Sequence, residues 1–136
     1  MAKKIRMDIV TPEKVAYSED VNMVIARATT GDLGVLPGHA PLIAALAIWP
    51  LRILTDDGED SISICGGFIE VQPDKITIVT NCAELPEEID VSRAEKAKTR
   101  AENRLHDNDG KVDVARAEIA LKRAINRLKV VKLHKR

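Results

Sequence analysis

Residues 84–94 concentrate acids and a base at spacings that could do binding chemistry. Glu84, Glu87, Glu88 and Asp90 fall within seven residues, and Arg93 stands three positions after Asp90. Pro86 can neither continue a strand ladder nor sit inside a helix, so this stretch is a connection. Asp90 stands where a helix N-cap belongs, its carboxylate able to accept from the first free backbone N–H groups. Farther on, Arg123 and Arg127 are four apart and share a helix face. Taken alone, Asp90 reads as a plain cap and the arginine pair as solvated surface.

No catalytic constellation accompanies them. His39 has no His, Cys or carboxylate at ligand spacing, so metal binding and general-base work are not indicated, and packing at a subunit interface fits it better. Neither a nucleophile–base pair nor a paired-carboxylate arrangement emerges from the order of residues. The loop 31–38 lacks the Lys-Ser/Thr ending of a phosphate-cradling loop and reads as a shaped contact surface. Cys65 and Cys82 lie in strand-like runs without CxxC spacing, a pattern that favours reduced thiols over a structural disulfide.

The elements that must position these residues fall into two regimes. The chain has 136 residues, enough for one domain with an appendage, and only 2% of them are aromatic, so its core must be aliphatic. Up to residue 84 apolar residues alternate: Ile5, Met7 and Ile9; Leu51 and Ile53; Ile62 and Ile64; Ile76 and Ile78. Turns are expected at Ser18–Asp20, at Thr29–Asp32 and at Asp56-Asp57-Gly58, and Gly66-Gly67 suggests a bulge or a close backbone approach. Eight or more short strands without intervening helices predict an antiparallel sandwich over residues 1–84.

Residues 85–136 change period. Ala94, Ala97, Ala101 and Leu105 make one helical stripe, and Ala117, Leu121, Ala124, Leu128 and Val131 another. His106–Gly110 reads as the turn between them and Asp113 as the second cap, giving an antiparallel helical hairpin. Alanine burial contributes about 1 kcal/mol or less per methyl, so the pair is closely packed but weakly held. The formal charge is zero, yet residues 111–136 carry nine Lys or Arg against Asp113 and Glu118, a net +7 balanced by −7 in residues 1–110. A basic tail of that kind suits an acidic partner or an anionic ligand, or else is solvated helix surface. No apolar run is long enough for a signal peptide or a membrane span, so any role at a membrane would come through a partner.

Three motifs carry a resemblance along essentially the whole chain. Gly31-Asp-Leu-Gly-Val-Leu-Pro-Gly-His-Ala-Pro-Leu42, Gly66-Gly-Phe-Ile-Glu-Val71 and Ile89-Asp-Val-Ser-Arg-Ala94 resemble the epsilon subunit of F-type ATP synthases. The third motif resembles the subgroup that binds ATP. The resemblance implies a ten-strand sandwich followed by a two-helix domain. It also implies a rotor-stalk place between the gamma subunit and the c-ring, peripheral on the cytoplasmic face of a bacterial membrane. The loop with Gly31, Leu36, Pro37, Gly38, His39 and Pro41 would be a subunit contact. ATP would be held by Glu84, Ile89, Asp90, Arg93, Ala94, Arg100, Arg123 and Arg127, with magnesium unspecified. Arg123 and Arg127 suit phosphates, and Asp90 and Glu84 suit the adenine amino group or ribose hydroxyls.

The mechanism implied by the resemblance is that of a two-state regulator. ATP would hold the hairpin against the sandwich, and its loss would let the basic second helix reach the catalytic beta and neighbouring alpha subunits and stop hydrolysis. The rival is a structural adaptor whose arginines bind nothing. A nucleic-acid module is disfavoured by zero net charge and by the lack of interleaved aromatics. One departure from the family pattern is Ala47-Ile-Trp49-Pro50 where a glycine is common, which predicts an altered turn and a surface or interface tryptophan.

Overall fold

A computed structural model describes residues 3–107 and 113–134. Eight strands come first: β1 (Ile5–Val10), β2 (Val15–Val21), β3 (Met23–Ala28), β4 (Gly31–Val35), β5 (Leu42–Thr55), β6 (Gly58–Val71), β7 (Lys75–Val79) and β8 (Ala83–Glu84). A 3-10 turn (Pro86–Glu88) leads to α1 (Val91–Leu105) and α2 (Val114–His134). Hydrogen bonding orders the strands β2-β1-β7-β6-β5-β3-β4, with β8 added on β6.

The two long strands turn this ribbon into a sandwich. β5 and β6 each have 14 residues, more than one layer needs. The C-terminal part of β6 pairs β7, and its earlier part pairs β8, so each long strand serves both layers. The described residues form eight strands where ten were expected, because residues 42–55 and 58–71 each run on as one long strand. Contrary to expectation, the sheets are not wholly antiparallel, because β1 runs parallel to β7, Met7 opposite Ile76 and Ile9 opposite Ile78. The chain reaches that pairing only after passing through both layers, a crossover of the length a parallel pair needs.

Glycines make the bend of β6. Gly66 and Gly67 have φ of +79° and +106°, and a Cβ on Gly67 would lie 2.1 Å from the Val79 carbonyl oxygen. The close approach expected there is present. On β5 the strand runs straight through 47–50, contrary to the expected turn. β3 pairs Ile25 with Arg52 and then Ala28 with Leu46, leaving five β5 residues opposite two. Pro50, which has no N–H to give, falls inside that interruption. Ser18–Asp20, expected as a turn, belong to β2. Their polar side chains are tolerated because β2 is an edge strand on which all three are exposed, and Ser18 donates to Asp8 at 2.6 Å. Gly31–Val35, read as loop, forms β4 on the other edge.

The core is aliphatic, as composition requires. Ile5, Met7, Ile9, Ile53, Ile69 and Ile78 are at most 1% exposed and belong to one cluster drawn from both layers. Each such side chain contributes about 1.5–3 kcal/mol on burial.

The cysteines overturn the reduced-thiol expectation. Cys65 and Cys82 form a disulfide with Cα atoms 5.4 Å apart. Spacing along the chain hid this, because pairing of β8 on β6 is what brings them together, and the Cys65 N–H also donates to the Cys82 carbonyl at 3.2 Å.

The helices begin where expected. Asp90 accepts from the Arg93 N–H at 3.1 Å, and Asp113 from the Arg116 N–H at 3.1 Å. The expected turn at His106–Gly110 begins with His106, and its residues 108–110 lie outside the described residues. α1 packs on α2, and α2 packs on β5, β6 and the 3-10 turn. Ala94, Ala101, Ala117 and Ala124 are buried, as the two stripes predict. A second, small apolar cluster of Ile89, Val130 and Val131, with Val91 against it, lies where α2 meets the foot of α1.

Candidate functional site

Where β8, the start of α1 and the middle of α2 meet, a cleft of about 310 Å³ opens. Its walls include Glu84, Asp90, Arg93, Ala94, Arg100 and Arg127, six of the eight residues assigned to nucleotide binding. Glu88, Lys96 and Ala97 complete the lining. Three carboxylates and four cations therefore face one space, an arrangement suited to a ligand with an anionic end and donor groups at the other.

Each side chain is placed by local rules. β8 puts Glu84 at the sandwich edge, and Arg127 reaches it from α2 with Nε 2.6 Å from the carboxylate. Asp90 serves as the α1 cap, which fixes Arg93 and Ala94 in the first turn. Glu88 accepts from the Leu85 N–H at 3.0 Å and pairs with Lys14 at 3.3 Å. The backbone hydrogen bond first, and Lys14 after it, hold the Glu88 carboxyl below its ordinary range. Arg100 lies two helical turns beyond Arg93 and so shares its face.

The other two assigned residues lie outside the lining. Ile89 is buried with Val130 and Val131 and packs the foot of the hairpin. Arg123 is exposed one turn before Arg127. In the compact arrangement the guanidinium nearest the cleft's inner wall is thus paired with Glu84 rather than open.

Sequence reasoning missed three features around this site. Asn126 is 2% exposed and donates from Nδ2 to the Ile64 carbonyl at 2.9 Å, tying α2 to β6. Trp49, expected at the surface or at an interface, is half-buried and carries a cation contact from two other elements. Its ring centroid is 3.7 Å from Lys129 Nζ of α2 and 4.0 Å from the Arg27 guanidinium of β3. The third is apolar and outward. Phe68 and Val79 pair across strands and are 59% and 56% exposed, with Ile43 also exposed on β5. Their position out of phase with buried Ile69 and Ile78 was the available signal.

The segment assigned to subunit contact runs from the edge strand β4 into an exposed loop. Leu36 is 55% exposed, and Gly31, Gly38 and Pro41 are also exposed, while Pro37 and His39 are half-buried. The Gly38 N–H donates to the Pro73 carbonyl at 2.8 Å and the His39 N–H to the Leu36 carbonyl at 3.1 Å, so backbone bonds hold the loop's shape. No described helix is long and apolar enough to cross a membrane.

A β-sandwich followed by a helical domain is the domain order of the ATP synthase delta/epsilon chains. The model of their β-sandwich domain matches residues 4–86, and the model of their long α-helix domain matches residues 87–132. The ATP synthase epsilon chain of Alkalihalophilus pseudofirmus is 50% identical over 102 residues, covering 75% of this chain and 77% of the relative. That of Bacillus subtilis is 46% identical over 104 residues, covering 76% and 79%. A chain of the Euglena gracilis mitochondrial ATP synthase, solved with OSCP, F1 and c-ring, superposes with a TM-score of 0.79 at 29% identity over 93% of this chain and 79% of that one. This chain belongs to the epsilon-chain family of F-type ATP synthases, accessory subunits of the central stalk and not the catalytic ones.

Proposed function

We propose that this epsilon chain couples the gamma subunit to the c-ring and restrains ATP hydrolysis through its hairpin, with ATP as the ligand that keeps the hairpin docked. The observation that carries this reading is the cleft at which sandwich, α1 and α2 converge. A ligand there touches all three parts at once, so it binds the docked arrangement and not the opened one. Arg93, Lys96 and Arg100 offer cations for phosphates, and Arg127 joins them if Glu84 turns its carboxylate toward the base or ribose. Arg123 can swing in from the adjacent turn.

Binding to one state alone adds about 1.4 kcal/mol at ten times Kd and about 2.7 at a hundred times. A shift of that size decides the outcome where docking is nearly balanced, and the alanine-lined helix pair supports such a balance. The undocked α2, with the basic residues around it, would then reach acidic surface on the catalytic beta and adjoining alpha subunits. The exposed Phe68, Val79 and Ile43 face and the Leu36 loop are the surfaces offered to gamma and the c-ring, on the inner side of a bacterial cell membrane.

Isothermal titration of the full chain with ATP tests the site. Saturable binding to the wild type, lost in Arg127→Ala and weakened in Arg123→Ala, is the expected result. No binding to the wild type would leave a structural adaptor. Unchanged affinity in both variants would remove the arginines from the site.

A further inference from the structure

We propose that the Cys65–Cys82 disulfide is a redox control point for hairpin docking, opened by a protein dithiol and restored by the reverse exchange with a protein disulfide. This goes beyond the nucleotide reading and does not need it. α2 holds the sandwich through an amide hydrogen bond, an ion pair and the Lys129–Trp49 contact, and the first two land on the strand pair that the disulfide ties. Asn126 Nδ2 bonds the carbonyl of Ile64, the residue before Cys65. Arg127 pairs with Glu84, two residues after Cys82.

The tie matters because the ladder beside it is short. β8 meets β6 only at Ser63 opposite Glu84 and Ile64 opposite Ala83. Directly after Glu84 the Leu85 N–H is held by Glu88, and the chain enters the 3-10 turn and the Asp90 cap of α1. β8 is therefore the platform on which the hairpin stands. Without the disulfide, two residue pairs, one Cys65–Cys82 backbone hydrogen bond and the packing of Ala83 and Leu85 on the core keep that platform on β6. Loss of a loop constraint of this kind favours detached conformations.

The chemistry balances with a dithiol reductant. Cys82 is the more exposed of the pair. A reductant thiolate attacks its Sγ, the Cys65–Cys82 bond breaks, and Cys65 leaves as a thiolate that takes up a proton. The reductant's second thiol then attacks the mixed disulfide and releases Cys82 as a thiol. Two electrons and two protons reach the cysteines, and the dithiol becomes a disulfide.

The test compares the nucleotide-free full chain, oxidised and after treatment with dithiothreitol. Hydrogen exchange reads α2, and the fluorescence of Trp49, the single tryptophan of the chain, reads the Lys129 contact. Expected are an acceleration of α2 exchange by about tenfold or more on reduction, a red shift of Trp49 emission, and reversal of both on reoxidation. The double variant Cys65→Ser with Cys82→Ser should behave as the reduced chain in either condition. Two free thiols in the oxidised wild type, identical α2 exchange in both states, or β1 and β7 exchanging as fast as α2 after reduction would each overturn the proposal. The last would make the bond a staple of the whole sandwich. Failure of ATP to bind in either redox state would remove the nucleotide reading and leave this result untouched.

Discussion

Replacing Asn126 by alanine isolates what holds the hairpin down. In the docked chain Asn126 is buried and its Nδ2 satisfies the Ile64 carbonyl at 2.9 Å. Alanine leaves that carbonyl beneath α2 without its donor, at a cost of about 1–3 kcal/mol. Part of the cost is returned, since Asn126 Oδ1 is itself buried with no hydrogen-bond partner among the described residues and disappears with the side chain. The net loss is about 1–2 kcal/mol, a factor of roughly 5–30 in the ratio of docked to undocked chains. The loss falls on docking alone, because water reaches the Ile64 carbonyl once α2 lifts. Hydrogen exchange of the full chain should therefore show faster exchange across α2 with β1, β5 and β7 unchanged, and Trp49 emission should move to the red. If docking is close to balance and ATP binds as proposed, its apparent affinity falls by the same factor as the docked fraction. Wild-type exchange in α2 of the alanine variant would refute the claim that this hydrogen bond bears on docking.

Two further predictions concern the sandwich. Gly67→Ala places a Cβ about where the Val79 carbonyl sits, at a φ of +106°, so a loss of about 2–5 kcal/mol and a sharply lower Tm are expected; an unchanged Tm would refute the close approach. Asp8, Asp32, Asp56 and Glu88 are held below their ordinary values, chiefly by hydrogen bonds from Ser18, Arg27, Lys4 and the Leu85 N–H respectively. Their stabilisation is complete above about pH 4 and is lost as pH falls through the lower folded values, so Tm should drop below about pH 4 and not between 5 and 6. Tyr17 shows the opposite edge: burial first, and Glu19 after it, push it up to about 12, so its contribution holds below about pH 10 and is lost as pH rises through 12. Tyr17→Phe should extend the alkaline limit, and an unaltered limit would exclude Tyr17 as its cause.

The fold was legible where one residue decides one geometry. Alternation at Ile5, Met7 and Ile9, the Asp90 and Asp113 caps and the Gly66-Gly67 approach all express local rules that the structure keeps. What stayed hidden depended on pairing at a distance. The parallel match of β1 with β7, the meeting of Cys65 with Cys82 and the burial of Asn126 require knowing which strand or helix arrives alongside. Asn126 was hidden for a further reason: the periodicity of α2 reads as one apolar stripe, whereas the helix is covered on two sides. Most of the candidate site was reached through a motif resemblance and not through the residues alone, since nothing in the chain order brings Arg127 to Glu84, 43 positions away.

The way the hairpin is held bears on the proposal that a ligand in the cleft governs it. α1 packs on α2, and α2 alone carries the main contact with the sandwich, so releasing α2 frees both helices. Beside its packing on β5 and β6, α2 is held to the sandwich by an amide, an ion pair and a lysine on an aromatic ring, while Ile89, Val130 and Val131 form a small apolar cluster at the foot of α1. An ion pair at 30% exposure on each side is worth about 1 kcal/mol or less once solvent screening is counted. Replacing Glu84–Arg127 with an aliphatic pair would tighten the dock and take two polar groups from the cleft together. Polar attachment at this point leaves docking weak enough for ligand-scale free energies to matter, and it supplies the same charges with which an anionic ligand would be held.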